Sequence, residues 1–527
     1  MDQAVWQELW RLIRDVLLLK ASTFRAINDV PESAIIALIV VLVAGLSQEI
    51  AQSIILFVNR VKPIRFVFSL LIGSILFTFG YIFLVFSTWV ITLTPLTANL
   101  SLGTVARILG FSYVPLIFSF LGALPYLGIP ILSLLSVWHL LAMVVGFASV
   151  TSLSLEESVI YVLIGWVVLQ ILQQTIGQPL ANLGRTIANQ TAGVKLATSS
   201  QDIFNLLQDG LKSPTKPMTD SAKTSLNMQA YQVVATGQIL ARRLSTKSFR
   251  SDRHVKTVLG LIGIGLVTLL VVLFIKPITL GATKSLYQLP RSIKWLVDLV
   301  WISIIGLIVG GLLAPLETLG WWAGWYNDEI DTTINTGELA RPLTSSRKIS
   351  RYIIYLDGIG QSSFNYLPDV EVFLQALTEV LPKDMALIRG IMPYSVVNNP
   401  LDQDRPLAFF WRLADRLRFK NPASILGLIV NIRNVLTVAV SADQRYGPLY
   451  NQGIAQVMYN ALLNHGYNPY YNVPITLIGY SGGGQMSTAS APFLGRSLKC
   501  PIEIISLGGV ISGNCNILKL EHLYHLV

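Results

Sequence analysis

The residues best suited to chemistry are Gly479-Tyr480-Ser481-Gly482-Gly483, a G-x-S-x-G run between the apolar segment PITLIG and the small-residue segment QMSTASAPFLG. A serine on a tight strand-to-helix turn has its hydroxyl lifted above the sheet edge, and small neighbours let a substrate carbonyl approach the backbone. The chemistry this predicts is attack by Ser481 on an acyl carbon, with the Gly482 amide donating to the developing oxyanion. Other chemistries find less support. No G-x-x-x-x-G-K-[ST] run is present, so a P-loop is not expected. The five histidines, at 139, 254, 465, 522 and 525, are scattered, and His522 with His525 lacks companions for a structural metal, so neither metal nor cofactor is expected.

The elements that must position Ser481 begin near residue 350. Short apolar runs at 352–356, 385–388, 474–479 and 502–507 read as strands, and 366–381 and 451–465 read as crossover helices. Near-continuous apolar runs suit parallel strands covered on both faces, which predicts a three-layer α/β domain over 350–527. Asp443 and Arg445, in SADQRYGPLYNQG, are expected to cap the following helix.

With its elbow and its alternating elements, this region resembles the α/β-hydrolase family. The resemblance implies a second oxyanion donor in Asp357-Gly358-Ile359-Gly360, from Gly358 or Ile359, with Asp357 shaping the turn. It also implies an acid and a histidine after the nucleophile in chain order. No aspartate follows Ser481, and the acids and histidines there are Glu503, Glu521, His522 and His525. His522 and His525 are therefore the weak candidates for the base, and the domain is expected to be an incomplete hydrolase.

The rest of the chain has another solvent. Of its 527 residues 52% are hydrophobic and 13% charged, with a mean hydropathy of +0.57, which excludes a wholly soluble or disordered chain. Apolar stretches near 34–58, 66–93, 108–124, 127–149 and 158–175, then 258–280 and 299–316, predict seven spans. Glu49, inside the first, is expected to face protein or to mark a break. Trp6, Leu9, Ile13, Val16 and Leu17 recur at helical spacing and predict an amphipathic helix ahead of the spans.

The excess of 39 basic over 29 acidic residues is concentrated partly in Arg242, Arg243, Lys247, Arg250, Arg253 and Lys256. That cluster suits anionic lipid headgroups; without a nucleic-acid-binding module, a nucleic-acid partner is not expected. Cys500 and Cys515 permit at most one disulfide.

The segment VLLLKASTFRAINDVPES, the spans after it and ARILGFSYVPLIFSFLGALPYLGI resemble the Yip family of integral membrane proteins over about 10–175. That resemblance implies membrane traffic and a small GTPase or membrane-protein partner. The expected organisation is thus a Yip-like domain (1–175), a polar and basic linker (176–256), a transmembrane hairpin (257–320) and an α/β-hydrolase-like domain (350–527). The expected function is a multi-pass membrane protein with a serine-dependent ester or lipid hydrolase domain, its terminal domain on the cytoplasmic side. The alternative is a non-catalytic membrane organiser or trafficking-type protein with a degenerate hydrolase-like domain.

Overall fold

The computed structural model describes residues 11–28, 30, 32–93, 100–151, 154, 156–165, 186–194, 291–325, 349–403, 408–421, 424–513 and 520–527. The basic cluster at 242–256, the expected span at 258–280, most of the one at 158–175, and Cys515 lie outside these residues. The chain divides into two compact units. One comprises Met1–Ser199, Gly310–Gln403 and Ala408–Val527; the other comprises Ser200–Val309 and Asp404–Leu407. Within the second, residues 291–309 form the described piece and are helical.

The first unit begins with helical membrane segments. Helix α1 (Ala21–Ile27) leads into α2 (Ser33–Gln52), the short α3 (Ile54–Val58), α4 (Pro63–Thr92), α5 (Leu102–Ser112), a 3-10 segment (Val114–Ala123) and α6 (Gly128–Thr151). Six stretches among the described residues are long and apolar enough to cross a membrane: Ser33–Gln52, Pro63–Thr92, Leu102–Ala123, Gly128–Thr151, Asp298–Trp322 and Ile425–Ala442. The chain is a polytopic membrane protein, and α4 shows why. Its outward face carries Phe68, Leu71, Ile75, Phe79, Ile82 and Phe86, whereas Ser74, Thr78, Tyr81 and Ser87 are buried. Apolar side chains point out and hydroxyls point in, the reverse of a soluble helix, because lipid solvates the former and other helices must satisfy the latter. Ser74 Oγ donates to the Leu42 carbonyl at 2.7 Å, Tyr81 to Ala106 at 2.7 Å, and Ser47 to Ile117 at 2.7 Å.

The expected first span, 34–58, breaks at Ser53, just beyond Glu49. The Glu49 carboxylate lies against Gly73 of α4, where any side chain would collide with it. Upstream, residues 11–17 are helical, with Ile13, Val16 and Leu17 buried, and Trp138 Nε1 of α6 donates to the Leu17 carbonyl at 3.0 Å. The expected span at 108–124 is two pieces, since Pro115 sits where α5 gives way to the 3-10 segment.

Helix α7 (Arg291–Leu313) and α8 (Leu316–Trp322) precede the α/β region. There the order is β1 (Arg351–Leu356), α9 (Pro368–Val380), β2 (Met385–Ile388), α10 (Ala408–Lys420), α11 (Ile425–Ala442), α12 (Gly447–Asn464), β3 (Ile475–Tyr480), α13 (Gly482–Leu498), β4 (Ile502–Leu507) and β5 (His522–Leu526). The five strands form one fully parallel sheet in the order β2-β1-β3-β4-β5. Alternate residues serve its two faces. Ile353, Tyr355 and Ile478 pack with Leu374 of α9, while Ile354, Leu477 and Ile504 are completely buried on the other. The terminal EHLYHLV segment, whose histidines were weighed for chemistry, is the fifth strand.

Two joints are present, one between α8 and the loop after α3 and the other between the α/β region and the membrane helices. Trp322 Nε1 donates to the Val58 carbonyl at 3.1 Å and Trp325 Nε1 to Val61 at 2.8 Å, while Arg60 stacks 4.9 Å from the Trp322 ring. At the other joint the Arg445 guanidinium donates to the carbonyls of Gly122 (2.6 Å) and Leu124 (2.8 Å). Asp443 holds that guanidinium at 3.0 Å and accepts the Tyr126 amide at 2.7 Å. Asp443 also accepts the amides of Arg445 and Tyr446 in the turn ahead of α12. The N-cap of α12 is Tyr446 and carries no side-chain bond, so the expected cap is instead a turn made by Asp443. Its larger role is to join α11 and α12 to the turn between two membrane segments.

Candidate active site

Ser481 joins β3 to α13, and its backbone has φ 51° and ψ −118°. A β-carbon is strained there, and the conformation persists because both ends of the turn are fixed. The Ser481 amide donates to Leu507 of β4 at 2.9 Å, and its carbonyl accepts from Gly484 at 3.0 Å and Val510 at 3.3 Å. The helix start must also pass close to β1. A β-carbon on Gly483 would collide with the carbonyl oxygens of Leu356 and Asp357, so only glycine fits. The G-x-S-x-G run is therefore a strand-to-helix elbow that aims the serine along the carboxyl ends of the strands.

The loop after β1 lies beside it. A β-carbon at Gly358 would stand 3.3 Å from Ser481 Cβ, and one at Gly482 would stand 2.7 Å from Ile359 Cγ2. The Gly358 amide is engaged by its neighbour Asp357 Oδ1 at 2.8 Å. Among the described residues the Ile359 amide has no acceptor, and the Gly482 amide, first in its helix, has none within α13. Both donors belong to segments that meet beside Ser481.

The loop is held from four directions. Tyr355 Oη donates to Asp357 Oδ1 at 3.0 Å, and Tyr394 Oη to the Asp357 carbonyl at 3.1 Å. Asn434 Nδ2 of α11 donates to the carbonyls of Ile359 and Gln361, each at 2.7 Å. Gln361 Nε2 donates to Ile391 at 3.1 Å. Burial raises the Asp357 carboxyl above its ordinary value, opposed by the Gly358 amide, the Tyr355 hydroxyl and the Arg418 charge. Burial likewise drives the Tyr394 hydroxyl well up, so it stays a proton donor.

The two candidate bases fall elsewhere on the sheet. His522 is in register with Glu503 at the start of β5, and His525 with Ser506, whose Oγ meets His525 Nδ1 at 3.1 Å. Ser506 is in turn in register with Gly479, so His525 is two strands from β3, roughly 10 Å at ordinary strand spacing. Glu503 is paired with Arg351 at 2.5 Å. The Ser481 hydroxyl has no hydrogen-bond partner among the described residues. Among those residues no group of three or more His, Cys, Asp or Glu side chains could hold a metal ion.

Tyr394 and Asn434 were not visible as site residues from the sequence. Asn434 left a trace, as one of few polar residues in the apolar run ILGLIVNIRNVLTVAVSA. Tyr394 left none, because it acts from a loop through one carbonyl. No family model matches the chain, and neither a curated protein nor a solved structure matches it.

Proposed function

We propose that the α/β region is a membrane-attached serine hydrolase domain acting on acyl esters, with the layout of the α/β-hydrolase family. The observation that carries this reading is the strained backbone of Ser481 at φ 51° on an elbow packed against the Gly358–Ile359 loop. In this reading Ser481 Oγ attacks the ester carbonyl as its proton passes to a base, and the Ile359 and Gly482 amides take the oxyanion; its collapse expels the alcohol with that proton, and water hydrolyses the acyl-serine to the free acid. Gly358, whose amide is spent on Asp357, serves by its lack of a side chain. Of the two carboxyl-terminal histidines, His525 is nearer the Ser481 end of the sheet and is the better candidate for a base.

The Ser481 hydroxyl, which has no hydrogen-bond partner among the described residues, favours a second reading, in which the same site binds an acyl group or a partner without turnover. Labelling by a serine-reactive fluorophosphonate, compared with Ser481→Ala, separates the two.

The Yip-like character of the amino-terminal helices supports a role in membrane organisation, with a small GTPase or membrane protein as partner. The terminal domain is joined to the 122–126 turn, which α4 and the α5–3-10 segment return to the side of the 58–61 loop, so Arg60, Lys62 and Arg65 beside that loop support a cytoplasmic placement.

A further inference from the structure

We infer that the α10–α11 hairpin is a second membrane-seated element, resting its outer apolar face in the lipid beside the spanning helices. Inside the hairpin, Ala414 of α10 and Val430 of α11 are completely buried, with Trp411 and Leu426 packed on them. Outside, Phe409 and Leu413 of α10 and Ile425, Leu428 and Val435 of α11 are exposed, Phe409 by 67% and Ile425 by 79%. The spacings i, i+4 on α10 and i, i+3, i+10 on α11 place each set on one side of its helix. Water makes such a surface costly, at about 25 cal/mol per Å² of apolar area, whereas lipid does not.

Three observations identify the occupant as bilayer. First, α11 is continuous with the membrane helices: the Leu436 side chain lies where a β-carbon on Gly310 would be 3.0 Å away, and Leu124 lies against the adjacent Gly311. Gly310 and Gly311 belong to the span Asp298–Trp322. Second, the carboxyl end of α11 is fixed to the turn between two other spans through Asp443 and Arg445. A turn joining spans lies at the membrane boundary, so α11 starts from that level. Third, α10 bears exposed Arg412, Arg416 and Lys420 among its apolar residues, the composition of a helix at an anionic headgroup layer. Helix α11 rests in the lipid rather than crossing it, because Asn434 and Arg433 on its inner side bind the Ile359, Gln361 and Tyr394 carbonyls.

The test reads lipid contact alone and so stands or falls separately from the chemistry of Ser481. In the full chain with Cys500→Ser and Cys515→Ser, single probes are attached at Leu428→Cys, Phe409→Cys and Tyr471→Cys. Tyr471 is exposed and precedes β3, at the far end of the sheet from Ser481. The protein is reconstituted in phosphatidylcholine and phosphatidylglycerol vesicles carrying doxyl-labelled phosphatidylcholine. Quenching at 428 and 409 is expected to exceed that at 471 by about threefold or more, with blue-shifted emission. Equal quenching at the three positions overturns the inference.

Discussion

A β-carbon at Gly358 would stand 2.9 Å from the Tyr480 ring and 3.3 Å from Ser481 Cβ, so these two loops approach as closely as glycine permits. Gly358→Ala should therefore push the loop away from the elbow and separate the Ile359 and Gly482 amides. Displacing a donor by a fraction of an ångström to an ångström costs about 10²-fold in rate. Fluorophosphonate labelling of the variant should fall by that order while its melting temperature changes little. Unchanged labelling would remove Ile359 from the oxyanion site.

The φ of 51° at Ser481 predicts a trade between reactivity and stability. Ser481→Ala keeps the strained β-carbon, whereas Ser481→Gly releases it. Strain of this kind costs about 1–3 kcal/mol, so the glycine variant should melt above the alanine variant by an amount corresponding to about 1 kcal/mol or more. If alanine proves the more stable, the elbow is not strained.

Arg445 should matter more to stability than any exposed arginine of the hairpin. Removing it takes the side-chain donor from the Gly122 carbonyl, leaves Leu124 with the Gly128 amide alone, and strips Asp443 of its counter-charge. Arg445→Ala should cost about 3 kcal/mol, seen as a lower melting temperature in detergent, with Arg416→Ala close to wild type. Arg445→Lys should restore it only in part, since a single ammonium lacks the planar fork whose separate nitrogens reach Gly122, Leu124 and Asp443 together. Equal effects at 445 and 416 would show that the joint is not holding the turn.

Asp357 predicts a dependence on pH. Burial raises its carboxyl above the ordinary value of 3.8, so the folded chain binds that proton more tightly than the unfolded chain. Its contribution is full below 3.8 and is lost as pH rises through the folded value. In Asp357→Asn the amide oxygen still accepts from Gly358 and Tyr355 without the buried charge. The variant should gain melting temperature relative to wild type as pH is raised from 3.8. Parallel curves would contradict the assignment.

The strands and the elbow were legible in the sequence because both are local. YIIYL and MALI are continuous apolar runs, IEIISL is one interrupted by Glu503 and Ser506, and G-x-S-x-G needs only its immediate neighbours. The terminal strand was not legible, since HLYHL is mostly exposed and draws its place from pairing with β4. The joints were hidden for a similar reason. Trp322 and Trp325 donate to Val58 and Val61, far away in the chain. Asp443 showed that it would bond the backbone just ahead of α12, but not its hold on Tyr126. The apolar run of α11 was read as part of the α/β region, and Asn434 and Arg433 are what keep it there.

The most direct measurement of the central claim is the second-order rate of fluorophosphonate labelling of the full chain in lipid nanodiscs, for wild type and Ser481→Ala. Active nucleophilic serine chemistry predicts a single labelled site, mapped by mass spectrometry to Ser481 and absent from the alanine variant. A folded wild-type protein that takes no label, or takes it equally in both forms, contradicts it.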